Sequence, residues 1–267
     1  MRNLLSANLL RLRKSRLFWG LLGAAFTLQH FSHWLKWGAR FYLTIDLLTY
    51  ALLLGFGMAA FIPLFFGAEY SDGAIRNKLV AGHSRLSIYL SHLITSVVAA
   101  LCAAGAYVLP VLAVGLFIYE PPAIDMGTLL LLLLGSFALL AAYCALYTFV
   151  TMNCSRKSTA AVICLLGMLV LYLAAGNIEI PLMHPEYLNW VVTETGETIP
   201  GEPNPRYVGG TARAVLETIQ DLLPTGQSLQ YMRADVAHPV RLPLYSLIDI
   251  AASTAIGAAL FRRKDIK

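Results

Sequence analysis

The run Leu244-Tyr-Ser-Leu-Ile-Asp-Ile-Ala-Ala-Ser-Thr254 carries a carboxylate, Asp249, amid apolar residues. An ionisable group in such a place is costly and is a functional candidate by default. Two readings stand for Asp249: a polar site facing protein or a polar path, or a structural hydrogen bond to a Ser or Tyr on a neighbouring run. Asp46 lies near the end of another apolar run and can reach the interface. Neither acid has an evident partner, so no proton relay follows. Gly135-Ser136 lies in an apolar run, but no later run supplies a His to act as its base. No H-E-x-x-H is present. His30 and His33 have a spacing that can hold a metal, but they are read as interfacial polar residues beside Trp34 and Trp37, and no metal site is assigned. There is no G-x-x-x-x-G-K-[ST], so the chain does not hydrolyse ATP by that route.

The elements that would position these groups follow from composition. The 267 residues are 58% hydrophobic and 13% charged, against about 25% charged in soluble domains. Lipid is therefore the expected solvent. The basic residues sit at the ends of apolar runs and form no patch with aromatics, which argues against nucleic acid. Cys102, Cys144, Cys154 and Cys164 all lie in or beside apolar runs, which argues against a disulfide framework or zinc cluster. The N-terminal stretch does not read as a cleavable signal peptide.

A bilayer core needs about 20 apolar residues of helix. Six runs qualify: Leu17 to about Trp34, Phe41–Phe66, Leu86–Tyr119, Met126–Met152, Ser158–Ala175 and Leu242–Phe261. The third is longer than one span, so its first turns are expected to protrude and Pro110 to kink or end it. Fourteen of the 20 cations fall on one side: five in Arg2–Arg16, then Arg76, Lys78, Arg85, Arg156, Lys157, Arg262, Arg263, Lys264 and Lys267. That side is expected to be cytosolic and to hold both termini. The reading is an all-α integral membrane protein with six transmembrane helices, a single transmembrane domain over 1–267. Residues 1–15 form an amphipathic interfacial helix, with Leu5, Leu9 and Leu12 on one face. Residues 177–242 form a small extracellular segment between the last two spans. In it a helix runs from Gly210 or Thr211 to about Leu222, with Leu216, Ile219 and Leu223 on one face. Trp190–Val192 packs, and Glu197–Pro205 is a mobile loop.

Between the second and third runs lies the charged island Gly67-Ala-Glu-Tyr-Ser-Asp-Gly-Ala-Ile-Arg-Asn-Lys-Leu-Val-Ala-Gly-His-Ser-Arg85. Ser71 or Asp72 can cap a short helix, with Asp72 and Arg76 as an i, i+4 pair. Ala74, Ile75, Leu79 and Val80 form its apolar face. Gly82 suits a left-handed stop, and Ser84 can cap the next span. A reversal needs only a few residues. A complete helix here must bury Ile75 and Leu79 on the membrane surface, on the rest of this chain, or in a partner's groove.

This pattern resembles the membrane-spanning permease subunits of type-2 ABC transporters. The resemblance is carried by six spans behind an amphipathic leader and by Glu69-Tyr-Ser-Asp-Gly-Ala-Ile-Arg-Asn-Lys-Leu79, similar to the family's E-x-x-x-G-T/A-I-x-x-x-L. Asp221-Leu-Leu-Pro-Thr-Gly-Gln227 and the close Gly257-Ala-Ala-Leu-Phe-Arg-Arg-Lys-Asp-Ile266 add to it. It covers nearly the whole chain and implies an exporter permease in a bacterial plasma membrane, not an enzyme. ATP and Mg would be used by a partner ATPase subunit, and this chain would bind no cofactor itself. A second permease, identical or not, would complete the unit. Glu69, Asp72, Gly73, Ile75, Arg76, Lys78 and Leu79 would form the ATPase-coupling site. The alternative is a non-transporting immunity or sensor protein that binds a peptide through its extracellular segment.

Overall fold

The computed structural model describes residues 1–35, 43–118, 124–192, 197–234, 236 and 238–264, and the side chains of all but 29–35, 71, 114–118 and 191–192 among them. About 81% of the described residues are helical. Among the described residues five helices are long and apolar enough to cross a membrane, the build of a multi-pass all-α membrane protein.

An N-terminal helix α1 (Arg2–Lys14) leads into α2 (Arg16–Leu35). The part of α2 whose side chains are described is a shorter apolar helix, Arg16–Leu28. The side chains of His30, His33 and Trp34, and Trp37 entirely, lie outside the described residues. The next crossing is α3 (Leu43–Leu48) followed by α4 (Tyr50–Phe66). The island is α5 (Ala68–Ser71) and α6 (Ala74–Val80). Then come α7 (Arg85–Ile118), α8 (Met126–Asn153) and α9 (Lys157–Leu182). A hairpin of β1 (Trp190–Val192) and β2 (Thr198–Pro200) precedes α10 (Gly210–Leu222), α11 (Pro224–Arg233) and α12 (Arg241–Arg263).

Without water to drive them together, membrane helices associate through close packing and interhelical hydrogen bonds. Here α4 and α8 form the buried centre. The helix α12 packs along α8, and α9 along α4, and both keep most of their windows unburied. In α7, Ala99, Ala100, Ala103 and Ala104 form a fully buried small-residue stripe. Tyr50 and Ser136 share a 2.6 Å hydrogen bond at the centre. Ser136 also donates to the Leu133 carbonyl, so this hydroxyl serves packing. Asp125 caps α8 by accepting from the Thr128 amide at 2.8 Å and its hydroxyl at 2.7 Å. These two bonds hold the Asp125 carboxyl below the usual carboxylate range.

Four expectations change. Pro110 does not end the third crossing: α7 continues to Ile118 as one 34-residue helix. The fifth extends to Leu182, seven residues beyond Ala175, because Glu179 is held there by Arg233 at 2.8 Å. Glu197–Pro205 is no loose loop, since Val191 pairs with Ile199, and Leu188 and Asn204 bond to the Glu202 and Glu186 carbonyls. The helix ending at Leu222 is followed at once by α11, whose Thr225, Gln227 and Ser228 are buried. Thr225 donates to the Leu171 carbonyl in mid-α9, Tyr143 bonds Ser228, and Ser246 donates to Gln227. The pair α10–α11 is therefore a hairpin inserted among the spans.

Candidate functional site

Within the island, α5 ends at Asp72 and Gly73 turns the chain with φ of 68°, a left-handed geometry that favours glycine. No side chain among the described residues caps α6, so the expected Asp72 cap is not made, and the Ser71 side chain lies outside the described residues. Asp72 and Arg76 are both exposed, and no ion pair joins them among the described residues. The stop is as expected. Gly82 has φ of 84°, its amide bonds the Leu79 carbonyl and the His83 amide bonds the Lys78 carbonyl. Ser84 accepts from the Ser87 amide at 3.2 Å and so caps α7.

The apolar side of α6 rests on this chain. Ile75 is 1% exposed and packs with Leu4, Ile88, Tyr89, Met152, Ala258 and Phe261, with Leu79 at the edge. The layer is tight. A Cβ added to Gly257 would meet the Tyr89 hydroxyl at 2.2 Å. Lys264 sits 4.1 Å over the Tyr70 ring and donates to the Met152 carbonyl. Burial lowers its ammonium below the ordinary lysine value. What α6 shows outward is Arg76, Asn77 and Val80, the last 81% exposed, with Asp72 before them.

The other side of α6 is tied by charge. Glu69 is 2% exposed and accepts from Lys78 Nζ at 2.6 Å, from His92 Nε2 at 3.0 Å, and from Arg11 Nη1. A carboxylate only accepts, so His92 carries its hydrogen on Nε2. Lys78 and His92 therefore converge on one oxygen, and their 3.3 Å approach is between two donors. Arg11 also donates to the Phe65 carbonyl and stacks 4.2 Å from the Phe65 ring. Lys78 also donates to Asn8 Oδ1, and Asn8 donates to Ser91, both bonds at the 3.2–3.3 Å end of the range. The network joins α1, the end of the second crossing, α6 and the start of α7.

The structure thus brings Glu69, Lys78, Ile75 and Leu79 together as internal anchors and leaves Asp72 and Arg76 outside. Asn8, Arg11, Ser91 and His92 are additions. In α1 the buried positions are Leu4, Asn8 and Leu12. The expected face of Leu5, Leu9 and Leu12 is rotated to seat Asn8 on the network. The signal for this was weak: polar residues at α-helical spacing with Leu4 and Leu12, and a His inside an apolar run. Asp249 belongs to neither cluster. It is half-buried in α12 within electrostatic reach of Tyr143, and its Oδ2 is buried with no hydrogen-bond partner among the described residues. Among the described residues, no group of three or more His, Cys, Asp or Glu is arranged to hold a metal.

No protein-family model matches the chain, and no curated protein matches it.

Proposed function

We propose that this chain is the membrane-spanning permease subunit of an ATP-driven exporter of the type-2 ABC class, with six spans and both ends in the cytosol of a bacterial cell. A separate ATPase subunit docks on the island, and a second permease, the same chain or another, completes the unit. ATP and Mg are used by the ATPase. The observation that carries the reading is α6 itself, a short helix with a defined start and stop, braced on one side by the Ile75 layer and on another by the Glu69 network. Its remaining face, Asp72, Arg76, Asn77 and Val80, is free to meet a partner. A load on that face reaches α1 through Lys78, Glu69 and Arg11, and α7 through His92, so rigid bracing suits a part that transmits motion.

The contact set therefore shifts outward: Arg76 and Val80 touch the ATPase, while Glu69, Ile75, Lys78 and Leu79 hold the helix. Co-purification with an ATPase encoded beside this chain tests it. Arg76→Glu with Val80→Asp should weaken the complex about thirtyfold, the loss of one interface hot spot, and abolish stimulated ATP hydrolysis. If the double variant binds and stimulates like the parent protein, α6 is not the docking element.

A further inference from the structure

At the end of the bundle away from α6, a cleft of about 490 Å³ opens between the end of α9, the α10–α11 hairpin and His238. That volume lies within the range of about 300–1,000 Å³ for small-ligand pockets. Its charges are largely matched to one another. Arg213 pairs with Glu217 at 2.9 Å, Arg233 pairs with Glu179 at 2.8 Å, and Asp221 accepts from Gln230 at 2.9 Å. Gln220 is different. It lines the cleft, is 3% exposed, and neither its Oε1 nor its Nε2 has a hydrogen-bond partner among the described residues. Arg213 Nη1, also in the lining, is buried without a partner as well. Buried polar groups are otherwise almost always satisfied, and leaving one unmet is costly.

We infer that this cleft binds a peptide-like ligand through its backbone amides, with Gln220 as the reader. A primary amide presents one acceptor and one donor side by side, the complement of a peptide group's N–H and C=O. Arg213 Nη1 supplies a second donor for a neighbouring carbonyl. An anionic ligand suits the site poorly, because each guanidinium already has its charge paired with a carboxylate and three carboxylates line the same wall. The site goes beyond the export reading and stands without it, since it uses nothing at the α6 end.

The test uses the full chain in nanodiscs and an uncharged probe, acetyl-trialanine amide, with maltotriose as a hydroxyl-rich control. Saturation-transfer NMR reads contact directly. The expected result is transfer to the peptide methyl groups and none to maltotriose. Binding should fall about tenfold in Gln220→Leu, the loss of one or two buried hydrogen bonds. Leu182→Trp, which fills the cleft from its wall and leaves Gln220 in place, should abolish the signal and guards against a folding defect in the first variant. Absence of transfer in the parent protein, equal transfer in both variants, or equal transfer to maltotriose would overturn the assignment.

Discussion

Arg11, Lys78 and His92 converge on a single carboxylate, so Glu69 holds three elements and its loss is felt by all of them. Removing one partner of a buried ionic cluster leaves the others uncompensated, at a cost of several kcal/mol. Glu69→Gln is expected to lower stability by about 3 kcal/mol, read as a drop in the thermal midpoint of the detergent-solubilised protein. Lys78→Met should cost less, about 2 kcal/mol, because Arg11 and His92 stay on Glu69. Equal losses would mean that the carboxylate is not the hub. Only half of this site was legible in the sequence. Glu69 and Lys78 stand nine residues apart in one polar island, but Arg11 reaches Glu69 across 58 residues. No local pattern announces which polar side chain of an amphipathic leader turns inward. Asp249 makes the opposite prediction. Its Oδ2 is buried without a partner among the described residues, so Asp249→Asn removes a desolvation cost. The thermal midpoint should stay level or rise by about 2 °C. A clear fall would reveal a partner that holds the carboxylate.

At the scale of elements, α10 is turned inside out relative to a helix in water. Its apolar Val215, Ile219 and Leu222 are exposed, while Gln220 and Asp221 are buried. The sequence reading placed the helix ends correctly and put Leu216, Ile219 and Leu223 on one face, of which Leu216 and Leu223 are half-buried and Ile219 is exposed. The inward side of α10 lies against the end of α9 and against α11, where Asp221 accepts from Gln230. The hairpin then needs its two arms close together. A Cβ on Gly226 would meet the Gln220 carbonyl oxygen at 2.2 Å, and backbone cannot yield as a side chain does. Gly226→Ala is expected to cost about 1–3 kcal/mol and to weaken the Gln227–Ser246 bond that ties the hairpin to α12. Gly105→Ala is the control. Nothing lies within 4 Å of a Cβ there, and mid-helix alanine should gain up to about 1 kcal/mol. Thermal midpoints of the two variants should move in opposite directions. The long crossings were legible because apolar length is a strong signal. The hairpin was not, since Pro224 and Gly226 read equally as the end of one helix and the beginning of another.

For the whole molecule, the number of crossings and the side each end faces are one question. The network puts α1 beside Glu69 and Lys78, and Lys264, just past α12, lies against Tyr70 and Met152. Both described ends of the chain therefore sit at the α6 end, as the proposed six crossings expect. Five helices qualify by length and composition. In the proposed six-span arrangement α2, which starts beside α1, supplies the remaining crossing. In the sequence count fourteen of the 20 lysines and arginines fall on the side that holds the island. Cationic flanks resist translocation, and that end is predicted to face the cytosol. Arg76 and Glu202 are exposed at opposite ends and can carry single cysteines once the four native ones are replaced. An impermeant maleimide should label Glu202→Cys on intact cells, and Arg76→Cys only after the membrane is opened. The reverse pattern would place α6 outside, where no ATPase could dock and the charge count would have been misread. Labelling of both from outside would make the number of crossings between them even, where α7, α8 and α9 make three. Labelling as predicted, together with the common position of the chain ends, leaves α2 as a true span and puts the Gln220 cleft where an external peptide can reach it.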